Sequence, residues 1–374
     1  MSLISIQRTD GYRPDGMKAA VEAHFAALEV EKDLFPGMKV LLKPNLLAAR
    51  KPEQGVTTHP ALIQAVVDWL RERGVENILL ADSPGGLYNE ARLRAVYAAS
   101  GMGRLRGVTL DLAAGSAPVD QPRGKVCRRF DIIDPIRWAD YIINLPKVKT
   151  HGMTVVSLGV KNLFGAVPGL EKPALHCRYP GWEAFAGMLL DLAELVAPAV
   201  TLADGVIAME GDGPAGGVLR QLGCTFASRD IYSLDWFLAD RVMGIPPRQV
   251  PMLRQAMERG LVEESPALTG DPLGEIPPFA RPKSQSADFA DRLPGFLRAP
   301  AKALLGGLFR PKPQVDKALC VGCGRCAESC PQKIITLAQG KAVIDTRRCI
   351  SCFCCQEMCP VRAITAKRGF SSGG

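Results

Sequence analysis

The chain has 374 residues, 47% of them hydrophobic, and this length predicts two or three packed domains. Aromatic residues make up only 6%, no uncharged apolar stretch reaches the roughly 18 residues of a membrane span, and the N-terminal MSLISIQRTDG lacks the basic and apolar regions of a signal peptide. The net charge is +8, of which residues 314–374 carry +5, so an acidic partner would be steered towards that end. We therefore expect a cytoplasmic protein without a transmembrane segment or a nucleic-acid partner.

Strand and helix patterns alternate through residues 1–268. Short apolar runs predict strands at residues 40–42, 77–81, 141–143 and 200–203. Apolar residues at helical spacing predict helices over residues 61–73 and 91–100. This alternation predicts an α/β domain with a largely parallel sheet flanked by helices.

Polar residues stand where these predicted strands end. Lys43 and Asn45 follow the first strand, and Asp82 follows the second. Lys147 follows the third strand and Asp204 the fourth. Because ligands of open α/β sheets bind outside the carboxyl ends of the strands, these segments predict one shared site.

The segment from residue 144 to residue 176 is the richest in lysine and histidine, which suit an anionic ligand such as a carboxylate or a phosphate. Any one of these residues could be an ordinary solvated side chain, so the prediction depends on the whole group. The candidate catalytic residues are His59, Lys147, His151 and Lys161. The candidate ligand-binding residues are Lys43, Asn45, Asp82, Lys149, Asn162, His176 and Asp204. The dinucleotide motif G-x-G-x-x-G after a strand, the phosphate loop G-x-x-x-x-G-K-[ST] and the nucleophile elbow G-x-S-x-G are all absent from the sequence.

Residues 269–314 contain eight prolines and are predicted to be a semi-rigid linker. Within the linker, residues 296–310 are apolar and basic, which would suit a membrane surface or a partner. Because Pro300, Gly306 and Gly307 weaken a long helix there, we expect this segment to pack the C-terminal domain against the rest.

The C-terminal domain, residues 315–374, contains two runs of the pattern C-x2-C-x2-C-x3-C-P that repeat at an offset of 29 residues. Such runs bind [4Fe–4S] clusters, and the fourth cysteine of each run ligates the cluster of the other run. One cluster is therefore assigned to Cys320, Cys323, Cys326 and Cys359, and the second to Cys349, Cys352, Cys355 and Cys330. We expect a small ferredoxin-like α+β domain, with a hairpin between the runs and a helix beginning at each fourth cysteine.

Two open points concern the metal and the remaining thiol. Structural zinc sites use CxxC pairs separated by a longer loop, so four cysteines within eleven residues disfavour zinc. Cys354 interrupts the second run and is interpreted as a thiol without a role in ligation.

At six spaced segments the chain resembles the DUF362 family. The segments are LKPNL at residues 42–46, THP at 58–60, NLPKVKTH at 144–151, LGVKNL at 158–163, DG at 204–205 and EGDGP at 210–214. The resemblance covers about residues 1–245 and implies a C-terminal pair of clusters, which many members have, but no assigned reaction. The lysine and histidine segments are also distantly similar to the nickel-pincer lactate racemase family, from which only the type of residue carries over and not the cofactor.

Three functions are consistent with this sequence. The first is an oxidoreductase whose two [4Fe–4S] clusters pass electrons to or from a small anion in the α/β domain, with a separate protein as electron donor or acceptor. The second is an electron-transfer subunit without catalysis, which predicts no enclosed cavity. The third is a non-redox, isomerase-like enzyme with structural clusters. A cavity at the strand ends that faces a cluster would favour the first.

Overall fold

The computed structural model describes residues 1–169, 171–282 and 311–367. The segment at residues 296–310 lies outside the described residues, as does most of the proline-rich linker. The described strands are β1 (Leu3–Arg8), β2 (Lys39–Pro44), β3 (Asn77–Leu80), β4 (Thr109–Leu110), β5 (Ser116–Asp120), β6 (Arg129–Ile133), β7 (Tyr141–Leu145), β8 (Lys147–His151), β9 (Val155–Ser157), β10 (Val200–Glu210), β11 (Val218–Ser228), β12 (Ala267–Gly270), β13 (Lys312–Val315), β14 (Ile335–Ala338), β15 (Lys341–Ile344) and β16 (Ile364–Lys367).

Helices alternate with these strands. They are α1 (Pro14–Ala27), α2 (Pro60–Glu72), α3 (Glu90–Ser100), α4 (Asp134–Trp138), α5 (Gly159–Asn162), α6 (Glu171–Arg178), α7 (Trp182–Val196), α8 (Ile231–Phe237), α9 (Pro251–Glu258), α10 (Arg325–Glu328) and α11 (Cys354–Met358). Their starts follow local chemistry: Pro60 stands at the first position of α2, and the Asn89 side chain accepts the Arg92 N–H before α3. No helix within the described ranges is long and apolar enough to cross a bilayer.

Ten of the described strands form one mixed, mostly parallel sheet. Its order is β12-β1-β11-β10-β7-β2-β3-β4, with β8 beside β10 and β9 beside β8. Strands β10, β7, β2, β3 and β4 run parallel, whereas β11 is antiparallel to both of its neighbours. The predicted α/β class is therefore confirmed.

The sheet is covered on both faces. Val40 and Leu42 pack with residues of α1, α2 and α3, whereas Leu41 packs with residues of α7, α8 and α9. Since successive strand residues point to opposite faces, a strand covered on both sides is apolar at every position. This explains why residues 40–42 read as a continuous apolar run.

Two strand boundaries differ from the prediction. Strand β10 continues to Glu210, so Asp204 lies inside the strand and not after it. Lys147 begins β8 and does not end β7. The reason is tertiary: β11 and β8 pair along the extension of β10, and Lys147 stands opposite Asp204 in that pairing.

The described part of the C-terminal domain contains two short antiparallel strand pairs and two short α-helices. Strands β14 and β15 form the hairpin predicted between the cysteine runs, and β13 pairs with β16. The expectation that the fourth cysteine begins a helix is wrong, because α10 and α11 contain the third cysteine, and Cys330 and Cys359 follow those helices. Strand β12 extends the main sheet to Gly270 and β13 begins at Lys312, so both enter the predicted linker range.

Asp235 anchors the short helix α5, which positions Lys161 and Asn162. Its two carboxylate oxygens accept the Gly159 and Val160 N–H groups at 2.7 and 2.9 Å. Burial raises the pKa of Asp235 to about 7 although both hydrogen bonds oppose this rise. The side chain therefore satisfies two buried amides at the cost of its own desolvation.

We expect Asp235→Ala to lower the free energy of unfolding by about 2–4 kcal/mol, because two buried N–H groups lose their acceptor. Urea denaturation followed by far-UV circular dichroism measures this loss. Asp120→Ala is the matched control, since its side chain is 77% exposed. Equal destabilisation by the two variants would contradict the anchoring role.

Candidate functional site

A polar cavity lies at the carboxyl ends of β2 and β3, between the α/β domain and the C-terminal domain. Its empty volume, including the mouth, is about 740 Å³. Among the lining residues are Asn45, Asp82, Lys149, His151, Lys161, Asn162, Lys172 and His176 from the α/β domain, and Cys354, Glu357 and Met358 from α11. Several strand-end segments therefore meet at one site, as the sequence indicated.

The buried wall of the cavity is built on an ion pair. The Lys43 ammonium, fully buried, lies 2.8 Å from Asp82 Oδ1. The other oxygen of Asp82 accepts the Leu46 N–H. Gly165 packs so closely on this pair that an added Cβ would stand 1.8 Å from Asp82 Oδ1. Lys43 thus orients Asp82 from behind and does not itself line the cavity.

Three amide side chains hold a chain of hydrogen bonds next to this pair. Asn45 donates to Asn162 at 2.9 Å, and Asn162 donates to Asn144 at 2.8 Å. Lys149 donates to Asn45 Oδ1 at 2.8 Å and to the Val56 carbonyl at 2.6 Å. The structure brings Asn45, Asn162 and Lys149 together, and their hydrogen bonds stabilise one another.

Three lysines around the cavity differ in how they are bonded. Lys149 is held as described above, and Lys172 donates to the Ser83 carbonyl. Lys161 forms no hydrogen bond with any residue that the structure describes, and its ammonium lies 4.8 Å from the centre of the Phe164 ring. Lys161 is therefore the lysine with the most capacity to bind a ligand.

Two more polar groups of the cavity lining have no partner within the described ranges, His176 Nδ1 and Ser83 Oγ. The His176 ring stacks on Phe185 at a centroid distance of 4.2 Å, which fixes its plane. Since buried polar groups are nearly always hydrogen-bonded, unpaired groups in a cavity indicate a place for a polar ligand.

Burial controls the protonation of the cavity lysines. It lowers the pKa of Lys149 and of Lys172 to about 7, and it also lowers the pKa of Lys161. Burial likewise lowers the pKa of His176, to about 3, so this imidazole is neutral at physiological pH. The cavity therefore holds amines that can change charge near neutral pH beside a neutral imidazole.

The C-terminal domain contributes the carboxylate of Glu357 to the cavity. His151 Nδ1 accepts the Met153 N–H, so the proton lies on Nε2, which is 3.1 Å from Glu357 Oε1. Burial alone would raise the pKa of Glu357, but His151 and Lys161 outweigh it and lower that pKa. The helix that carries two of the cysteines of the second run is thus tied to the polar cavity.

A second polar cluster lies apart from the cavity lining and contains three of the predicted residues. Lys147 lies 2.9 Å from Asp204 Oδ2, and both contact the Tyr12 hydroxyl, at 2.6 and 2.7 Å. The His59 ring stacks on the Tyr12 ring with 3.6 Å between their centroids, and the His59 backbone N–H donates to Asp204. The structure therefore does not bring His59, Lys147 and Asp204 into the cavity, although they were grouped with it.

The predicted cysteine groups each surround a separate small cavity. Cys320, Cys323, Cys326 and Cys359 line one of about 320 Å³. Cys330, Cys349, Cys352 and Cys355 line another of about 320 Å³. Each cavity thus receives three thiols from one run and one from the other, which is the crosswise donor set of two-cluster ferredoxins.

Backbone amides surround these thiols in the manner of a cluster site. The Ala342 and Ala363 N–H groups point at the sulfurs of Cys320 and Cys359, at 3.4 and 3.2 Å. Amide hydrogen bonds of this kind stabilise thiolates and tune a cluster. In the parts of the chain that the structure describes, no three His, Cys, Asp or Glu residues are grouped tightly enough to share a single metal ion. In a [4Fe–4S] cluster each of four thiolates binds a different iron, and the four thiols that line each cavity fit this donor requirement.

Sequence reasoning missed several residues of the site. Glu357 and Met358 carried no signal, because they stand in the C-terminal domain and reach the cavity through tertiary packing. Tyr12 lies in a polar N-terminal stretch without a motif. Cys354, interpreted as a thiol without a role, lines the polar cavity. Its extra position in the second run was the one available signal.

Comparisons with known proteins agree with this architecture. A family model described as a domain of unknown function (DUF362) matches residues 40–240, and one described as a 4Fe-4S dicluster domain matches residues 312–360. The thylakoid-associated protein sll1697 of Synechocystis sp. is 32% identical over 276 residues, which are 71% of this chain and 82% of that protein.

Two solved structures are similar to part of this chain. The lactate racemase apoprotein of Thermoanaerobacterium thermosaccharolyticum is 14% identical, with a TM-score of 0.41 over 66% of this chain and 58% of its own length. A protein of Thermotoga maritima is 14% identical, with a TM-score of 0.35 over 57% of this chain and 55% of its own. The chain thus spans less than two thirds of either.

An α/β domain with a polar cavity is joined here to a ferredoxin-type 4Fe–4S domain, so the molecule is an iron–sulfur protein. The chain belongs to the DUF362 family.

Replacing single cysteines tests the ligand assignment. Cys355→Ser removes a predicted ligand, and we expect the anaerobically purified protein to lose about half of its roughly eight irons. Cys354→Ser, at the neighbouring position, is the control and should keep all of them. Iron and acid-labile sulfide analysis measures the difference. Loss of iron in Cys354→Ser with full iron in Cys355→Ser would contradict the assignment.

Proposed function

We propose that this chain is an oxidoreductase that binds a small anion in the polar cavity and exchanges electrons between that anion and two [4Fe–4S] clusters held by the eight cysteines. The clusters, when bound, supply one-electron transfers. The observation that carries the proposal is the cavity itself, because helix α11 contributes one wall of it and also contains Cys355, a predicted ligand of the second cluster.

The charges of the cavity favour an anionic ligand. Lys149, Lys161 and Lys172 line it, and the carboxylates on its wall are already bound: Asp82 by Lys43 and Glu357 by His151. A ligand carboxylate, or another oxyanion, would complete the hydrogen bonding of Lys161 and reach the unpaired His176 Nδ1. These residues bind and orient the anion.

The same residues can move protons that accompany electrons. Two-electron reduction of an anion such as a 2-oxo acid takes up two protons, and its reversal releases two. Lys149 and Lys172, whose pKa values burial lowers to about 7, can give or accept protons near neutral pH. Proton exchange is therefore assigned to lysines, and Lys43 and Asn45 keep structural roles.

The two other functions considered from the sequence fit less well. A pure electron-transfer subunit predicts no enclosed cavity, whereas a polar cavity lies beside α11. An isomerase-like enzyme with structural clusters does not require a predicted cluster ligand on the same helix as the cavity wall. It predicts that activity survives the loss of the second cluster in Cys355→Ser. The cytoplasmic location and the domain limits at 268 and 315 stay predictions from the sequence.

Lys161→Met tests anion binding and electron exchange together. Holoprotein is reduced with dithionite, freed of excess reductant and mixed anaerobically with pyruvate, 2-oxoglutarate, fumarate, nitrite or sulfite as probe anions. We expect at least one anion to speed reoxidation at 410 nm tenfold or more over buffer. Because Lys161→Met removes a charge-assisted hydrogen bond, it should weaken that effect about tenfold to a hundredfold at unchanged iron content.

The matched control is Lys333→Met, since Lys333 is exposed in the C-terminal domain and does not line the cavity. It should behave like the wild type. The proposal fails if none of the five anions speeds reoxidation, or if Lys161→Met and Lys333→Met respond equally.

The reaction should depend on pH through the cavity lysines. Burial lowers the pKa of Lys149 and Lys172 to about 7, so both are cationic below that pH and lose their charge above it. The apparent affinity for the active anion should therefore be constant below about pH 6.5 and fall roughly tenfold or more by pH 8.5. Anaerobic titrations over pH 6–9 measure this profile, and Lys172→Met should make it shallower. A flat profile would exclude these lysines from anion binding.

A further inference from the structure

The two cysteine runs are related by an internal repeat, but their surroundings differ. In the second run, Cys352 and Phe353 are only 9% and 3% exposed, and Cys352 packs with apolar residues of the α/β domain. At the equivalent positions of the first run, Cys323 is exposed and Gly324 is half-buried. The predicted first cluster therefore reaches the surface at Cys323, and the predicted second cluster lies beside the polar cavity.

Apolar side chains surround the surface site. Val321, Leu337 and Val361 line the first cysteine cavity and are 63%, 48% and 37% exposed. Most proteins bury such side chains, and a cluster of exposed ones at a predicted redox centre indicates a contact surface.

Basic side chains flank these apolar ones. Arg325 and Arg362 are exposed. Both lie close enough to Arg50 to lower the pKa of its guanidinium further, after the larger effect of burial. Lys341 donates to the Cys320 carbonyl at 2.6 Å. Glu328 and Asp316 are neighbouring carboxylates, so these three basic groups still outnumber the acidic ones.

We propose that this basic face, formed by Val321, Leu337, Val361, Arg325, Arg362 and Lys341, docks an acidic one-electron carrier protein. A partner with carboxylates around its own redox centre fits the charge, and its apolar centre would cover the three exposed side chains. The inference deepens the proposed function by naming the partner, and it rests on that function only for the presence of the clusters.

Each docking event transfers one electron. The carrier is oxidised by one electron and this protein is reduced by one, without a bond or a proton changing place. Two successive events supply the two electrons that the ligand in the cavity takes up. Electrons would thus enter at the basic face, pass through the two predicted clusters and reach the ligand in the cavity.

Stopped-flow reduction by an acidic [2Fe–2S] ferredoxin, used as the probe carrier, tests the proposal. We expect the bimolecular rate constant to fall at least tenfold between about 50 and 500 mM NaCl, because salt screens opposite charges. The double variant Arg325→Glu/Arg362→Glu should lower it at least tenfold at low salt and also abolish calorimetric binding of the oxidised ferredoxin. Reduction by photoreduced 5-deazaflavin, a small reductant that needs no docking, should be unchanged.

Lys333→Glu is the matched control. Lys333 holds the position in the first run that Arg362 holds in the second, both have left-handed backbone conformations, and both are exposed. This control should change the rate constant less than threefold. Equal effects of the control and the double variant, or a rate constant independent of salt, would overturn the proposal. If the wild type is a dimer and the double variant is a monomer, the basic face is an interface between copies of this chain. That result would also overturn the proposal.

The two proposals fail separately. If the rate of reduction by ferredoxin does not depend on the basic face but anions still speed reoxidation, the docking proposal fails and the oxidoreductase proposal stands. If reduction by ferredoxin depends on the basic face but no probe anion speeds reoxidation, the docking proposal stands and the oxidoreductase proposal fails.

Discussion

Burial of lysine ammonium groups at one edge of the sheet is the constraint on which the rest of the molecule depends. A buried charge without a partner costs several kcal/mol, so each buried lysine needs an anion, several carbonyls or a lowered pKa. Lys43 and Lys147 are fully buried and each has its own aspartate. Lys149 and Lys172 have mainly neutral acceptors, and Lys161 has none among the residues described. The structure thus separates lysines that hold the fold from lysines that remain available to a ligand.

That separation also explains how the two domains meet. Glu357 brings a negative charge from the C-terminal domain to the lysines that line the cavity, where His151 binds it. Arg50 makes a further contact by donating to the carbonyls of Cys359 and Pro360 at 2.8 and 2.9 Å. The contact between Glu357 and His151 that joins the two domains therefore also forms part of the cavity wall. Lys161, which lines the cavity, also attracts the Glu357 carboxylate and helps to lower its pKa.

The internal repeat supplies two equal cysteine runs, and the α/β domain makes them unequal. Packing buries Cys352 and places Cys354 beside the cavity, whereas Cys323, at the position in the first run equivalent to Cys352, is exposed. A duplicated ferredoxin has two ends that are nearly equivalent. Here one end faces the polar cavity and the other faces solvent, so the two ends of a symmetric motif have different surroundings.

The sequence by itself determined the features that depend on local spacing. Continuous apolar runs identified β2, β3 and β7, because strands covered on both faces are apolar throughout. Eight spaced cysteines predicted the two groups that line separate cavities, and strand-end polar residues predicted that several segments meet at one site. Only the tertiary structure decided which of those polar residues share the cavity. It placed His59, Lys147 and Asp204 with Tyr12, and it brought Glu357 and Cys354 into the cavity from about 200 residues further along the chain. The physical reason is that side-chain partners of buried charges are chosen across the sheet and between domains, where sequence spacing holds no information.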